Sequence, residues 1–251
     1  MTGDTAKSCA VIVGVGAREG IGGAMSVLAA SKGLHVFVAG RTAARINRIV
    51  EEIHQNGGEA TAIATDSTDE QAVKALFEKV AASGLPLELV VYNTGGNYPS
   101  RFLNTSEVFV EGHWRRCVLG GFLTGQAALK IMLPQGRGSI IYTGATASVR
   151  GRPLFGAFAS AKAGLRAMAQ SMAREFGPQG IHVAHVIIDG TIEGEVVRKF
   201  MRGLGWLVLR KKGKDGGLLP DQIARNYWAI HAQPRSAWTQ ELDLRPFKEV
   251  F

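Results

Sequence analysis

The sequence predicts an α/β protein with a three-layer, doubly wound Rossmann fold and a mostly parallel sheet of about seven strands. Two observations support this prediction. Short apolar, β-branched runs recur along the 251 residues, and helix-length amphipathic segments separate them. This alternation builds a parallel sheet through right-handed crossovers, with a ligand crevice at the carboxyl ends of the strands.

Six apolar runs have the length and composition of strands that are buried on both faces. They span 9–15, 34–40, 59–65, 87–93, 138–144 and 181–188, and a last strand is expected to begin near Trp238. Five helices are predicted between them, over 20–32, 43–56, 68–83, 110–133 and 155–176. We expect one domain over 1–251, because a single three-layer sheet can accommodate this length.

The segment 193–219 breaks this alternation, since it mixes basic residues, glycines and apolar groups. It is predicted to be a lid or substrate loop, and a solvated insertion without a role is the alternative. Its cations could receive an anionic substrate such as an acyl thioester carrier, although charge runs are usually solvated surface. These cations are Arg198, Lys199, Arg202, Arg210, Lys211, Lys212 and Lys214.

Composition limits the class of partner. The formal net charge is +8, yet no recognised nucleic-acid module accompanies it, so an anionic cofactor and substrate explain the charge and no nucleic acid is expected. The first residues lack a secretion signal, and no stretch approaches the ~20 apolar residues of a membrane span. We therefore expect a cytoplasmic protein without a membrane partner. Cys9 and Cys117 lack metal or disulfide spacing and are predicted to be free buried thiols.

A glycine-rich turn follows the first strand directly and opens the first helix. Gly16, Gly20 and Gly22 allow backbone amides to approach a pyrophosphate at the helix N-terminus, with Ile21 between the last two. This Gly-x-x-x-Gly-x-Gly spacing resembles the short-chain dehydrogenase/reductase family, and the similarity extends over nearly the whole chain. The resemblance implies a nicotinamide dinucleotide cofactor.

The same resemblance assigns further cofactor residues. Asp66 matches the acid that holds the adenine ring, and Asn93 and Gly95 belong to a turn similar to the family's Asn-Asn-Ala-Gly. Arg41 ends the second strand, where a basic residue favours a 2′-phosphate and NAD users usually place an acid. Arg18 adds positive charge to the glycine turn. We therefore expect NADP(H) rather than NAD(H), with solvated arginine side chains as the alternative.

The catalytic half of the family pattern is replaced. Residues 158–162 align with the family's Tyr-x-x-x-Lys, so Lys162 is kept while Phe158 stands in place of the tyrosine. The serine thirteen residues earlier becomes Ala145, and the helix asparagine falls near Cys117. Phenylalanine has no titratable group, so the family's proton path is closed. The resemblance assigns Lys162 to the hydroxyls of the nicotinamide ribose.

Neighbouring hydroxyl groups could supply the missing proton. Thr146, one position past the replaced serine, is the first candidate for contact with a carbonyl oxygen, and Thr143 and Ser148 flank the same turn. Tyr98 follows the Asn-Thr-Gly-Gly turn and is a further candidate, with an exposed rim position as the alternative. Tyr142 is expected to pack between a helix and the sheet.

Asp189, after the sixth strand, is expected near the nicotinamide, where it must be solvated, paired or functional. Its alternative role is a cap for a helix beginning near Ile192. His113, His182 and His185 have no metal-ligand spacing, so no metal is expected, and His185 is interpreted as a core histidine.

The first function hypothesis is an NADP(H)-dependent oxidoreductase acting on a carbonyl or alcohol with a non-standard proton donor, because the cofactor signals are intact. The alternatives are a dinucleotide-binding protein without redox turnover and a non-redox enzyme on the same scaffold. An inactive site would lose its lysine as readily as its tyrosine, so the enzyme is favoured. The resemblance also implies a small-molecule substrate and a homotetramer or homodimer, with Trp114 or Phe155 exposed on the contacting helices.

Overall fold

The computed structural model describes residues 7–195, 213 and 215–249. Seven parallel strands form one sheet in the order β3-β2-β1-β4-β5-β6-β7. The strands are β1 Cys9–Val13, β2 His35–Gly40, β3 Glu59–Ala64, β4 Leu87–Tyr92, β5 Gly138–Thr143, β6 Ile181–Ile188 and β7 Glu241–Leu244. The strand order reverses at β1 and β4, so the ligand crevice of this fold lies there, outside the carboxyl ends of the strands. The predicted fold class is confirmed.

Helices cover both faces of the sheet. They are α1 Ile21–Ser31, α2 Ala43–Gln55, α3 Glu70–Ala82, α4 Glu107–Trp114, α5 Gly120–Gln135, α6 Gly156–Phe176 and α7 Pro220–His231. One core lies between the sheet and the layer of α1, α2 and α7, and the other lies under α3, α5 and α6. Alternate strand residues serve the two cores: Ile12 faces the first, while Val11 and Val13 face the second. α7 lies outside the five helices expected from the sequence, although proline at its first position is typical of a helix start.

The fourth predicted helix differs most from expectation, because a π-helical turn, Arg115–Leu119, separates α4 from α5. Two hydroxyl groups explain the interruption. Tyr92 and Thr94, at the end of β4, each donate a hydrogen bond of 2.6 Å to the carbonyl oxygen of Arg116. A carbonyl engaged from outside the helix is a recognised site for a π-bulge, and such bulges are frequent at functional sites.

The helical run Glu107–Gln135 is long and apolar enough to cross a membrane by length and composition, contrary to the sequence expectation that no stretch approaches a span. Half of its most apolar window is buried inside the protein. Tyr142 donates a hydrogen bond to the carbonyl of Gly121, and a Cβ atom at Gly125 would lie 2.2 Å from the same hydroxyl. Close packing on the sheet therefore explains the apolar composition, and Tyr142 lies between helix and sheet as expected.

The two ends of the predicted lid segment meet. Ile192 and Leu218 form a short parallel bridge, with 2.8 Å hydrogen bonds from Leu218 to Thr191 and from Glu193 to Leu218. Ile192 itself lies in this bridge, and Glu195, three residues on, is helical, close to the helix start expected near Ile192. The basic residues between 198 and 214 lie outside the described residues, so the lid and its anionic substrate stay predictions.

Candidate active site and cofactor site

The N-terminus of α1 is free of side-chain caps. Gly20 is the N-cap residue, no side chain caps the helix, and the first turn carries no acidic residue. Ile21 is buried in the core, which fixes the start of the helix against the sheet. The first backbone amides and the positive end of the helix dipole are therefore available to a phosphate group.

Open space lies beside this turn. A Cβ atom at Gly16 would meet no heavy atom within 4 Å, and a cavity of about 500 Å³ extends from the turn to α2. Its lining includes charged groups of both signs, namely Arg18, Glu19, Arg45, Arg48, Glu52 and Glu195. The turn thus offers uncapped amides with open space beside them, while this cavity extends towards α2 and its lining does not include Arg41, Asp66, Asn93 or Lys162.

Among the glycines at this turn, Gly14 has the strictest steric requirement, although it lies outside the predicted Gly16, Gly20 and Gly22 motif. Its φ is +84°, and a Cβ atom there would lie 2.3 Å from the carbonyl oxygen of Asn93. Gly22 is also tight, since its Cβ would lie 3.2 Å from Val15 and 3.3 Å from the Asn93 amide. Gly14 and Gly22 bring the ends of β1 and β4 together, whereas no packing contact among the described residues requires glycine at position 16.

The predicted adenine end lies at the neighbouring strands β2 and β3. Arg41 directly follows β2, and both Arg41 and Asp66 are exposed. Partial burial raises the pKa of Asp66, but hydrogen bonds from the backbone and hydroxyl of Thr68, together with the charges of Arg41 and Arg115, outweigh this effect and hold the pKa below its usual value. Asp66 is therefore an ionised acceptor at neutral pH.

The positive charge that Arg18 adds to the glycine turn is paired with carboxylates. Its Nε lies 2.8 Å and 2.7 Å from the two carboxylate oxygens of Glu52, and its Nη1 lies 3.9 Å from Asp221. The charge is thus balanced by α2. Of the two arginines proposed for a phosphate, only Arg41 has no ion pair recorded among the described residues.

Lys162 is the best-defined element of the site. Its side chain is 3% exposed, and Nζ donates hydrogen bonds to the carbonyl oxygens of Thr94 at 3.0 Å and Thr143 at 2.7 Å. A Cβ atom at Gly95 would lie 3.3 Å from its Cε. Burial lowers the pKa of Lys162. α6 therefore holds a buried ammonium group where the ends of β4 and β5 meet.

The three positions where the family pattern is replaced lie together in space. Phe158, Cys117 and Ala161 form a small buried cluster, and Ala145 packs against it. Burial raises the pKa of the Cys117 thiol, which keeps it neutral. Both cysteines are free and buried, as predicted. An apolar cluster thus occupies the place expected for a serine, a tyrosine and an asparagine.

Thr146 and Asp189 contact each other directly. The Thr146 hydroxyl donates to a carboxylate oxygen of Asp189 at 2.6 Å, and Arg150 lies 3.0 Å from both carboxylate oxygens. Arg245 lies 3.5 Å from the same fully buried carboxylate. Asp189 is therefore a paired anion, and the hydroxyl proton of Thr146 is already engaged.

Ser148 contacts the core histidine. His185 is fully buried, its Nε2 lies 3.3 Å from the Ser148 hydroxyl, and its Nδ1 lies 3.3 Å from Glu241. Burial lowers the pKa of His185 to about 4, so the ring is neutral near pH 7. The Ser148 hydroxyl also accepts a hydrogen bond from the backbone of Ala145. This network holds the turn after β5 in place.

Sequence reasoning missed the position of His113. Its ring is fully buried, Nδ1 lies 2.9 Å from the Phe109 carbonyl oxygen, and Nε2 has no hydrogen-bond partner within the described part of the chain. The rings of Tyr98 and Phe158 each approach it edge-on, with centroids 6.2 Å away. Tyr98 is itself 60% exposed, at the rim. No local motif in the sequence marks this histidine, because its neighbours Tyr98 and Phe158 come from other segments.

Across the described residues, no group of three or more His, Cys, Asp or Glu side chains could hold a metal ion. The arrangement instead fits a dinucleotide, with uncapped amides and open space at the glycine turn and a buried ammonium group beside Gly95.

Comparison with known proteins agrees with this site. The family model described as short chain dehydrogenase matches residues 10–202. A crystal structure of a short-chain dehydrogenase from Rhodopseudomonas palustris is 36% identical, covers 95% of this chain and 99% of that chain, and superposes with a TM-score of 0.79. The short-chain dehydrogenase/reductase eriH of Hericium erinaceus is 34% identical over 186 residues, which are 70% of this chain and 71% of that protein. The uncharacterized oxidoreductase YuxG of Bacillus subtilis is 32% identical over 217 residues, 84% of this chain but only 30% of that longer protein.

Proposed function

Because this chain belongs to the short-chain dehydrogenase/reductase family, we propose that it is an NADP(H)-dependent enzyme that interconverts a carbonyl and an alcohol with a proton donor other than the family's tyrosine. Family membership makes the chain an oxidoreductase with a Rossmann NAD(P)-binding fold. The proposal adds the phosphorylated cofactor, the class of substrate and the source of the proton.

Lys162 carries the proposal. A buried ammonium group is costly to maintain unless it is well paired, and here two backbone carbonyl oxygens are its hydrogen-bond partners among the described residues. A chain selected only for stability would replace such a group with an apolar residue. Its retention beside Gly95 supports a ligand that needs a cation there, and the hydroxyls of a nicotinamide ribose fit this requirement.

Four regions would hold the cofactor. The amides at Gly20 and Gly22 would bind the pyrophosphate, Asp66 the adenine and Arg41 a 2′-phosphate. The turn of Asn93 and Gly95 would line the nicotinamide side with Lys162. When bound, the cofactor supplies hydride chemistry. The chain's own contribution is to orient the substrate and to move one proton, and the apolar cluster of Phe158, Cys117 and Ala145 cannot move it.

The test is a fluorescence titration of the purified protein with NADPH and with NADH. Arg41→Ala should weaken NADPH binding by about tenfold or more, the loss of one charge-assisted contact, and leave NADH binding unchanged. Lys162→Ala should weaken both nucleotides. Arg18→Ala should affect NADPH less, because Glu52 already pairs with that side chain. Arg174→Ala, an exposed substitution on α6, is the matched control. If the protein binds neither NADPH nor NADH, the proposal is overturned.

The apolar cluster gives a specific reason to test the alternative of a nucleotide-binding protein without turnover. Phe158→Tyr restores the family's hydroxyl. We expect the wild-type protein to oxidise NADPH with members of a carbonyl panel, and Phe158→Tyr to bring no gain, because the site uses another donor. An inactive wild type with activity only in Phe158→Tyr would instead indicate an eroded site.

We further propose a cytoplasmic homotetramer or homodimer that acts on a small molecule, with neither nucleic acid nor membrane as partner. Family members typically assemble as oligomers, and apolar side chains are exposed on the helices after β4, where Trp114 is 49% exposed and Phe122 is 47% exposed. Phe155, at the start of α6, is half-buried. Analytical ultracentrifugation should show a dimer or tetramer that Trp114→Arg weakens, and a monomeric wild type would contradict this.

A further inference from the structure

The missing proton donor has a candidate on α4. We propose that Nε2 of His113 is the acid–base atom that takes the proton of an alcohol substrate, or returns it to the carbonyl oxygen, in place of the tyrosine hydroxyl. This inference rests on the proposed function and names a catalytic residue for it.

The tautomer of His113 is fixed by its own helix. Nδ1 lies 2.9 Å from the Phe109 carbonyl oxygen, which can only accept, so Nδ1 carries the hydrogen. In the neutral ring, Nε2 then presents a lone pair. That atom is buried and has no hydrogen-bond partner among the described residues. Buried acceptors without a partner are rare, and each requires an explanation such as a ligand, a water molecule or a catalytic role.

The ring of His113 lies beside the replaced catalytic position. Its centroid is 6.2 Å from that of Phe158, at an interplanar angle of 72°. Cε2 of the Phe158 ring lies 3.7 Å from where a Cβ atom of Gly95 would be, and Cε of Lys162 lies 3.3 Å from the same point. The Phe158 ring therefore touches both His113 and the place proposed for the nicotinamide. The proposal requires a substrate oxygen to reach Nε2 between the rings of Tyr98 and Phe158.

The other candidates are less able to transfer a proton. The hydroxyl proton of Thr146 is engaged with Asp189 at 2.6 Å, although its lone pairs could still accept from a substrate hydroxyl. Ser148 is buried against His185. Tyr98 is 60% exposed and covers His113 from the solvent side. The π-helical turn beside α4 carries Arg115, Arg116 and Cys117, and α6 carries Lys162, Arg166, Arg174 and Glu175 as its titratable or charged groups.

The proton and electrons balance as follows. In oxidation, the lone pair of Nε2 would take the hydroxyl proton and the O–H electron pair would become the carbonyl π bond, while a bound oxidised nicotinamide dinucleotide would accept the hydride that the carbon releases. His113 would become a cation that still donates Nδ1–H to Phe109, and it would pass the Nε2 proton to water that enters as the product leaves. Reduction runs through the same steps in reverse.

Two substitutions separate the two nitrogen atoms of the ring. The amide nitrogen of Asn lies as many bonds from Cα as Nδ1, so His113→Asn keeps a donor for Phe109 and removes Nε2. His113→Gln places a neutral amide at the Nε2 position. Both variants should lower kcat on the best substrate of the carbonyl panel by about a hundredfold or more, the usual effect of losing a general acid–base group. Both should bind NADPH with a Kd within about threefold of the wild type.

A second measurement does not depend on turnover. In protein labelled with ¹⁵N-histidine, the signal absent from His113→Asn identifies His113 among the six histidines. We expect the Nδ1–H tautomer and a shift of the Nε2 resonance when cyclohexanol is added with NADP⁺. A protonated Nε2 in the neutral ring, or an Nε2 resonance that cyclohexanol leaves unmoved, would overturn the inference.

The kinetic comparison can also refute it. Retention of more than about a third of the wild-type kcat by either His113 variant would exclude the histidine as the acid–base group. A large loss in Tyr98→Phe alone would assign the role to that hydroxyl instead. Failure of the proposed function is recognised separately, because a wild-type protein that binds neither NADPH nor NADH fails before His113 is involved.

Discussion

The buried carboxylate of Asp189 gives the sharpest test of how the turn after β5 is held. Its side chain is 1% exposed, and Arg150 approaches both of its oxygens at 3.0 Å while being 34% exposed itself. Removing one partner of a buried ion pair costs about 3–5 kcal/mol, because the other charge is left without compensation. In Arg150→Met, the hydrogen bond from Thr146 and the more distant Arg245 remain. The free energy of unfolding should therefore decrease by about 3 kcal/mol, the lower end of this range.

A double-mutant cycle isolates this effect. Asp189→Asn keeps an acceptor for Thr146 and removes the charge, and Arg150 can then turn towards solvent. The free energy of unfolding of this variant should therefore decrease by only about 1–2 kcal/mol. The double variant should be no less stable than Arg150→Met alone, since no buried charge remains. Urea unfolding followed by circular dichroism measures all four proteins. If the destabilisation of the double variant equals the sum of the two single destabilisations to within about 0.5 kcal/mol, the two residues act independently and the pairing is refuted.

Two further predictions concern the glycine turn and acid stability. Gly14→Ala should destabilise the fold by several kcal/mol, on the order of 3 or more, because φ is +84° and the new Cβ would lie 2.3 Å from Asn93. Gly16→Ala should change stability by less than about 0.5 kcal/mol and yet weaken NADPH binding; equal effects of the two variants on unfolding would contradict this. Burial lowers the pKa of His185 to about 4, so between its ordinary value and pH 4 the unfolded chain binds a proton that the folded one does not. The free energy of unfolding should therefore decrease as the pH falls, by about 2 kcal/mol at pH 5 relative to pH 7. Urea unfolding of His185→Asn at several pH values should show a smaller dependence of this free energy on pH, and an unchanged dependence would count against the assignment.

The strands and the cofactor turn follow from local sequence. A run such as 9–15 is apolar at every position, and the turn around Gly16 is recognised from spacing within a few residues. Residues that act through distant partners do not show themselves in this way. Arg18 meets Glu52 from α2, and Asp189 meets Arg150 from another loop, so neither pairing is visible in its own segment.

The same reason hides the proposed proton donor. His113 alone lacks any motif, and its orphaned nitrogen becomes apparent only when α4 packs against α6 beside Phe158. The apolar replacement at Phe158 and Ala145 was visible in the sequence, but not that Cys117 joins them in one cluster. The replacements of the family's tyrosine, serine and asparagine by Phe158, Ala145 and Cys117 therefore form a single apolar cluster rather than three unrelated changes.

The π-helical turn 115–119 has a consequence for the helices on either side of it. An α-helix rotates by about 100° per residue, and a π-bulge inserts one residue into that rotation. The faces of α4 and α5 are therefore rotated relative to those of one uninterrupted α-helix, so each helix can pack in its own orientation. α5 is oriented by its fit to the sheet, while α4 is free to present His113 towards α6. Deleting a single residue from this turn would join α4 and α5 into one regular α-helix. His113 would then rotate about the helix axis by roughly a quarter of a circle relative to α5, while the sheet and the cofactor turn would stay as they are.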